Sequence, residues 1–429
     1  MDLPAPDAST PTARRPSRAA RRPPPRRNHP TCSKPLEEPA RRDTAPDRPL
    51  TFSRFLAAQG EDRLVGFMRS RTTFDPIPEV FAAPLAAKFR HYLTVGGCPE
   101  PAAAWCVDRN LTAALEAQKR VLDRWTLEAS LHADARDIPK IRRILASLPR
   151  QLARGGAFRW SLVEPRANAR KYGRALGWLI DAGMVRKVNR LDFTGGVGLP
   201  ISLHENPSAF RIFPADVGIL CALADIRYVP SLTTVTNPTT PAAPANPSGP
   251  DALPPGMLDA LVRTALLRSL TPQFGELWYW SLAKPRIGVA FVAELKDVVL
   301  PIEVSTDASA DGTPARALRS FRAFNAFRAH WEAAGLDPSA LPLRVRLSMR
   351  NLSLENGLLS IPLWMADETR RLVGLALTKA VLAGPLSPSS RSPATRSLPS
   401  GSAASPMKNK PGGRPDRPGS NSKMRGERV

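Results

Sequence analysis

The chain has 429 residues, 42% of them hydrophobic, and can therefore build two or three domains that each bury a core. Its 61 lysines and arginines outnumber its 38 acidic residues, which gives a net charge of +23. Its four cysteines lack paired spacing, its five histidines are scattered, and no apolar run approaches a bilayer-spanning length of about 20 residues. We expect a cytoplasmic protein without a disulfide framework, a bound metal, a cofactor or a membrane span.

The positive charge is concentrated in three places. Residues 1–48 hold 11 basic and six acidic side chains, and residues 385–429 hold nine and two. Both segments are rich in proline and poor in apolar residues, which predicts a disordered leader and a disordered basic tail. An inert leader and nonspecific anion binding both remain open for residues 1–48. Residues 138–190 hold 13 basic and two acidic side chains, a net charge of +11, so the rest of the body is neutral.

Residues 49–137 are predicted to be a helical segment. The stretch LTAALEAQKRVLDRWTLEASL places five apolar side chains near one helical face: Leu111, Leu115, Val121, Leu122 and Trp125. The stretch VGGCPE between helices is predicted to be a glycine C-cap followed by a proline stop.

Residues 138–230 predict a winged-helix-like domain. IPKIRRILASLPRQLA and PRANARKYGRALGWLID have the periodicity of two amphipathic helices, and MVRKVNRLDF and AFRIFPADVGIL are predicted strands. Helix, helix, strand and strand in this order indicate a winged helix-turn-helix, whose second helix enters a DNA major groove.

The candidate nucleic-acid-binding residues lie on that second helix and on the wing. They are Arg166, Asn168, Arg170, Lys171 and Arg174, followed by Arg186 and Lys187. The competing interpretation is an interdomain module whose arginines form only a solvated face. The concentration of positive charge in this segment favours double-stranded DNA as the partner.

Residues 231–255 contain seven prolines and one charged residue, which predicts a linker or a disordered insertion between domains. Residues 256–384 then have the pattern of a helix, three strands, a helix and a strand, with a final helix from residue 366. This order is that of the restriction-endonuclease-like fold. The predicted fold class is therefore α+β: a helical segment, a winged helix-turn-helix and a degenerate restriction-endonuclease-like α/β domain.

A metal site is not expected in that last domain. The stretch RIGVAFVAELKDVVLPIEVST, residues 286–306, predicts two strands with one acid, Glu303, flanked by apolar residues. Metal-dependent cleavage of a phosphodiester needs at least two oxygen ligands for Mg²⁺ and usually a nearby lysine. Glu303 is therefore interpreted as a remnant, with no catalytic residue assigned. The alternative is a residual nuclease in which Glu303 acts with Asp307 or Asp311.

Several stretches in order resemble a known family. They are PLTFSRFLAAQGE, FRHYLTVGGCPE, ASLPRQLA, YGRALGWLIDAGMV, AFRIFPADVGIL, LWYWS and VLPIEVS. From about Pro49 to Leu382 they resemble the C-terminal part of bacterial and archaeal AAA-type ATPases, the domain of unknown function 4143. The resemblance implies a cytosolic protein with a P-loop ATPase, a winged helix and a nuclease-like domain.

The chain departs from that family pattern at its chemical positions. No GxxxxGK[ST] motif occurs, so ATP hydrolysis is not expected. Where relatives have acids in EVDF and a lysine in IEVKS, this chain has Gly288, Ala290 and Ser305. A helix glutamate of the family corresponds to Ala260.

These observations predict a non-catalytic, DNA-binding relative that has lost its ATPase and nuclease motifs. One alternative is an interaction or regulatory subunit of a full-length P-loop ATPase paralogue. Another is the truncated product of a decaying gene. The expected partners are therefore double-stranded DNA or such an ATPase, and no membrane.

Overall fold

Eleven α-helices and eight β-strands make up the part of the chain that the structure describes. The structure is a computed structural model, and it describes residues 48–194, 196, 199–229, 253–282, 287–306 and 314–382. The predicted α+β class is confirmed. Nearly all of the predicted leader and linker, the whole of the predicted tail, and Asp307 and Asp311 lie outside the described residues. The predicted domain boundaries stay predictions.

Five helices lie within residues 52–132. They are α1 (Phe52–Ala58), α2 (Asp62–Ser70), α3 (Glu79–Val95), α4 (Pro99–Asp108) and α5 (Leu111–His132). Of the five side chains predicted to face inward on α5, only Val121 is fully buried, and the other four are half-buried. Gly96 is the C-cap of α3 with φ +81°, as predicted, but Pro99 begins α4 and does not stop the chain.

The next elements share one apolar core. They are α6 (Ile138–Arg154), α7 (Ala169–Asp181), β1 (Val185–Leu191), β2 (Glu205–Pro214) and α8 (Val217–Leu223). The predicted strand AFRIFPADVGIL ends early, at Pro214. The Asp216 carboxylate accepts hydrogen bonds from the backbone N–H groups of Gly218 and Ile219, so it caps α8 where the strand was expected to continue.

The C-terminal elements follow the predicted order and add a hairpin. They are α9 (Met257–Phe274), β3 (Trp278–Leu282), β4 (Ile287–Leu295), β5 (Val298–Ser305), α10 (Pro314–Ala333), β6 (Arg344–Ser348), β7 (Ser353–Glu355), β8 (Leu358–Pro362) and α11 (Thr369–Leu382). The sequence analysis missed β7 and β8. Asn356 and Gly357 join them with positive φ angles of 48° and 70°, which is the Asn-Gly signal of a tight hairpin turn.

The eight strands form one mixed sheet in the order β2-β1-β3-β4-β5-β6-β8-β7. Strand β1 meets β3 in parallel at one residue pair, Arg190 opposite Tyr279. Side chains strengthen this junction. The guanidinium of Arg211 on β2 lies 3.9 Å from the centre of the Tyr279 ring, and Trp278 Nε1 donates to Glu205 Oε2 at 3.1 Å. The hairpin of β1 and β2 therefore extends the sheet that β3 begins.

Helices α9 and α10 cover opposite faces of this sheet. Phe291 and Val292 are neighbours on β4, so their side chains point to opposite faces. Phe291 packs in the core that contains the buried residues of α9, whereas Val292 packs with Phe327 and Trp331 of α10. No helix among the described residues has the length and apolar character needed to cross a bilayer.

Candidate functional site

The predicted recognition helix, α7, has one buried and one exposed face. Tyr172, Ala175, Leu176 and Leu179 pack against α6 and the hairpin. Since a residue advances about 100° around a helix, Arg170 and Arg174 fall on the opposite, exposed side. Asn168 is the N-cap of α7, where its side-chain oxygen accepts a hydrogen bond from the backbone N–H of Lys171 at 3.0 Å. Its role within the chain is therefore to begin the helix.

Two cations of this surface share one acid. Glu164, in the connection between α6 and α7, accepts hydrogen bonds from Arg143 Nη1 at 2.6 Å and from Lys171 Nζ at 2.5 Å. The hydrogen bond from Lys171 lowers the pKa of Glu164, which is ionised and holds both cations at neutral pH. Arg143 and Lys171 still expose 54% and 51% of their side chains, so both remain accessible to a ligand.

A second acid holds Arg174 beside α6. Asp137, a buried residue at the start of α6, accepts hydrogen bonds from Arg174 Nε and, at 2.7 Å, from Lys140 Nζ. Burial alone would raise the pKa of Asp137, but the hydrogen bonds from Lys140 and Arg174 outweigh burial and lower it. Asp134 Oδ2 lies 3.4 Å from Arg174 Nη2. Arg174 is therefore fixed in place while 64% of its side chain stays exposed.

Arg166 and Arg170 differ from their neighbours. Both are exposed, and neither forms an ion pair with any residue that the structure describes. Arg166 also has φ +62°, the left-handed conformation that favours glycine. Since an arginine there is conformationally costly and has no ion-pair partner among the described residues, packing within the chain does not explain it.

The two predicted wing residues are not brought together. Arg186 and Lys187 are consecutive on β1, so they point to opposite faces of the sheet. Lys187 lies on the same face as Ile212 and α7, where its Nζ is 4.7 Å from the centre of the Phe210 ring. Arg186 points away from α7. The structure thus groups five of the seven candidate residues around α7, with Lys187 on the same face and Arg186 on the other.

Glu303 lies beside an arginine in the part of the chain that the structure describes. Glu303 is buried on β5, and its Oε2 lies 3.5 Å from Nε of Arg346 on β6. The nearby Asp259 on α9, which the sequence analysis did not single out, accepts hydrogen bonds from Thr306 Oγ1 at 2.7 Å and from Arg263 at 2.9 Å. Among the residues that the structure describes, no group of three His, Cys, Asp or Glu side chains is arranged to hold a metal ion.

Gly288, where the resembled family has an acid, lies on β4 with its backbone packed closely against β3. A Cβ added at Gly288 would lie 2.5 Å from the carbonyl oxygen of Trp280, a distance that no side chain tolerates. The β3–β4 pairing therefore requires glycine here. Replacing Gly288 with an acid would disrupt the sheet and would not create a site.

The sequence analysis also missed a buried carboxylate with a structural role. Asp216 Oδ2 accepts a hydrogen bond from Gly97 N at 2.6 Å, and Oδ1 accepts one from Gly218 N at 2.9 Å. A Cβ at Gly96 would lie 2.1 Å from Asp216 Oδ1. Burial raises the pKa of Asp216 although these backbone hydrogen bonds oppose the rise. The signal in the sequence was an aspartate directly before the apolar residues Val217, Ile219 and Leu220, which is typical of a helix N-cap.

Residues 86–229 match the model of a family described as "Domain of unknown function (DUF8612)". This span is about a third of the chain and runs from within α3 to just beyond α8. No curated protein matches the chain. No solved structure matches it either.

The resemblance to the domain of unknown function 4143 was wrong. The family model that matches is a different one, and no family of AAA-type ATPases matches. The stretches that suggested the resemblance mark structural positions. VGGCPE contains the glycines that pack against Asp216 and Leu50, and AFRIFPADVGIL contains the cap of α8. Helix ends and caps of this kind occur in many folds, so they are weak evidence for one family.

Proposed function

We propose that the protein binds double-stranded DNA without cleaving it, through a basic surface made of Arg143, Arg166, Arg170, Lys171 and Arg174. The observation that carries the proposal is the arrangement of these five cations on α6, α7 and their connection. Lys171, Arg143 and Arg174 are held in place by two acids, while Arg166 and Arg170 have no ion-pair partner among the described residues. A phosphate backbone is a ligand that complements such a surface.

The surrounding architecture supports docking by α7. Helices α5, α6 and α7 and the hairpin of β1 and β2 contribute to one apolar core, as in a winged helix-turn-helix. One feature differs from that motif. Residues 155–168 connect α6 to α7, whereas a helix-turn-helix has a turn of about three or four residues. We therefore propose a winged-helix-like module in which the long connection itself, through Arg166, contacts the duplex.

The C-terminal part is proposed to be a scaffold of the restriction-endonuclease-like type. The order of α9, β3, β4, β5, α10 and β6, with the two helices on opposite faces, supports this interpretation. Glu303 faces an arginine where a metal-dependent nuclease would place further carboxylates. Binding without cleavage is the function that this arrangement favours.

The test is a titration of the full chain against a fluorescently labelled duplex, followed by anisotropy at several salt concentrations. The logarithm of the binding constant falls with the logarithm of the salt concentration by about 0.9 for each phosphate contact. We expect the Arg166→Gln/Arg170→Gln double variant to bind more weakly and to lower that slope by about two contacts. Arg322→Gln is the control, because Arg322 is exposed on α10, a helix that contributes no residue to the core formed by α6 and α7.

Two results would contradict the proposal. One is wild-type protein that does not bind the duplex at low salt. The other is a double variant whose affinity and salt slope equal those of Arg322→Gln. Incubation of plasmid with the protein and Mg²⁺ or Mn²⁺ tests the absence of cleavage separately, since it should leave the plasmid intact.

A further inference from the structure

A second group of arginines lies on the side of the hairpin that faces away from α7. We name it the arginine cluster and define it as Arg48, Arg54, Arg186 and Arg268. The four residues come from four places in the chain: the segment before α1, then α1, β1 and α9. Arg48, Arg54 and Arg186 are exposed, and Arg268 is half-buried.

Backbone hydrogen bonds bring these segments together. Arg268 Nε donates to the carbonyl oxygen of Pro49, which follows Arg48 directly. Leu50 N in turn donates to the Gly97 carbonyl at 2.6 Å. Gly97 N donates a hydrogen bond to the Asp216 carboxylate. Next to Asp216, Ala215 N donates to the carbonyl oxygen of Met184 at 2.9 Å, and Met184 precedes Arg186 by two residues. The glycine loop and Asp216 thus connect the segment before α1 to the start of β1.

The positive charges of the arginine cluster repel one another. Surrounding protein atoms lower the pKa of Arg186 by desolvation, and the charges of Arg268 and Arg48 lower it further. Desolvation also lowers the pKa of Arg268, with Arg54 and Arg48 adding to the effect, although Tyr92 and Asp216 oppose it. Charges that repel one another in this way cost stability unless an anion is bound.

The acids near Arg268 compensate its charge only in part, since Asp216 opposes the lowering of its pKa without forming an ion pair with it. Arg54, Arg186 and Arg268 form no ion pair with any carboxylate in the described part of the chain. The Asp216 carboxylate accepts hydrogen bonds from the backbone N–H groups of Gly97 and Gly218. Asp367 Oδ2 accepts one from the backbone N–H of Ser53 at 2.7 Å. Each of these carboxylates therefore binds at least one backbone N–H group of the fold.

We propose that the arginine cluster binds a phosphate-bearing ligand. Guanidinium groups donate pairs of parallel N–H bonds that match the oxygens of a phosphate, and arginine stays charged even when partly desolvated. The site goes beyond the DNA-binding surface, because Arg186 points away from α7 and the other three members lie outside residues 138–190. The phosphate can come from a free small molecule or from a nucleic-acid backbone, since both offer the same chemistry.

The test measures the melting temperature of the full chain at increasing concentrations of inorganic pyrophosphate and constant ionic strength. We expect a saturable rise in the melting temperature of the wild-type protein. In the Arg54→Gln/Arg186→Gln double variant the affinity should fall at least about tenfold, which corresponds to 1.4 kcal/mol. Without pyrophosphate the double variant should melt no lower than the wild type, because removing repelling charges relieves strain in the fold.

Matched variants separate binding from folding. Arg322→Gln removes an exposed arginine from α10 and should leave pyrophosphate binding unchanged. If the glutamine variant fails to fold, Arg54→Lys/Arg186→Lys keeps the charge but loses the paired N–H geometry, and it should also bind more weakly. The proposal is overturned if the wild type shows no saturable rise, or if the double variants rise as much as the wild type.

Competition identifies the source of the phosphate. If a DNA duplex displaces pyrophosphate, the ligand is a nucleic-acid backbone; if it does not, the ligand is a small phosphate compound. Both results support the cluster as a phosphate site. The surfaces are tested independently, because Arg166→Gln/Arg170→Gln should weaken DNA binding through the basic surface while leaving pyrophosphate binding intact.

Discussion

Arg166 is the residue at which stability and proposed function oppose each other most directly. An arginine with φ +62° is less stable there than a glycine, which adopts this conformation without a steric penalty. The side chain has no ion-pair partner within the described residues. The proposed contact with DNA would account for an arginine at this position.

We expect Arg166→Gly to raise the free energy of unfolding by about 0.5–1 kcal/mol and to weaken DNA binding. Arg166→Ala is the matched control, since it removes the charge but keeps the unfavourable conformation. It should weaken DNA binding equally without the gain in stability. Urea unfolding and anisotropy on the three proteins check this, and equal DNA affinity in all three would rule out a contact at Arg166.

Asp137 gives the α7 surface a defined dependence on pH. Its folded-state pKa is lowered because Lys140 and Arg174 outweigh burial, so the ionised carboxylate stabilises the fold above the unfolded pKa of about 3.9. That contribution is lost as the pH falls below about 4 and through the lower folded-state value. Arg174 loses its anchor in the same range.

The Asp137→Asn variant should therefore be less stable than the wild type by about 1–2 kcal/mol at pH 7. The difference should shrink as the pH is lowered below about 4, because the wild-type carboxylate then becomes protonated. Urea unfolding at several pH values measures this. Asp134→Asn serves as the control and should change stability by no more than about 0.5 kcal/mol, since Asp134 is exposed. A difference that stays constant with pH would contradict the assignment.

At the scale of elements, α7 carries a glycine that the fold does not require. Gly177 lies on the exposed side with Arg170 and Arg174, and a Cβ added there would meet nothing within 4 Å. Glycine inside a helix costs about 0.5–1 kcal/mol relative to alanine. The open space above the backbone suits a ligand that approaches the helix closely.

Gly177→Ala should raise the free energy of unfolding by about 0.5–1 kcal/mol and reduce the affinity for DNA. Gly173→Ala, where a Cβ also meets nothing within 4 Å, should give the same gain in stability with a smaller effect on affinity, because Gly173 lies nearer the edge of the exposed face. Thermal unfolding measures the change in stability, and fluorescence anisotropy measures the affinity for DNA. An unchanged affinity in Gly177→Ala would show that nothing approaches the helix at that point.

Element positions were predictable wherever the apolar pattern was long and regular. Helices α6 and α9 and strands β4 and β5 fall where periodicity placed them, because their buried faces determine both period and position. The end of β2 was missed because the apolar pattern continues through it, whereas the strand ends where the Asp216 carboxylate accepts hydrogen bonds from the backbone of α8. Arg166 and Asn168 were predicted to lie on the second helix but precede α7, which begins at Ala169. The opposite directions of Arg186 and Lys187 follow from the alternation of side chains along a strand.

At the scale of the whole molecule, the sequence alone could not predict the arginine cluster. Its members are separated by up to 220 positions, and tertiary contacts alone bring Arg48 and Arg268 together. The same holds for the junction between Arg190 and Tyr279. Local patterns predict elements, whereas surfaces assembled from distant segments require the fold.

The apolar core links the residues before and after the proline-rich stretch. Phe52, Phe89 and Val188 pack in the same core as Leu261 and Phe291. We therefore expect a chain cut at a protease site inserted between residues 231 and 252 to remain a complex of two fragments. Size-exclusion chromatography after cleavage should show one peak in native buffer and two in denaturant. Separation in native buffer would mean that this shared core contributes little to stability.

During protein synthesis, β3 leaves the ribosome long after β1, the strand that it pairs with. Strand β1 ends at Leu191 and β3 begins at Trp278, so a ribosome adding about 5–20 residues per second needs roughly 4–18 s to supply the partner strand. During that interval the apolar residues of α1, α3 and β1 that later meet α9 and β4 are exposed on the nascent chain. We therefore expect the nascent chain to be prone to aggregation for several seconds, until α9 and β3 emerge and cover this surface.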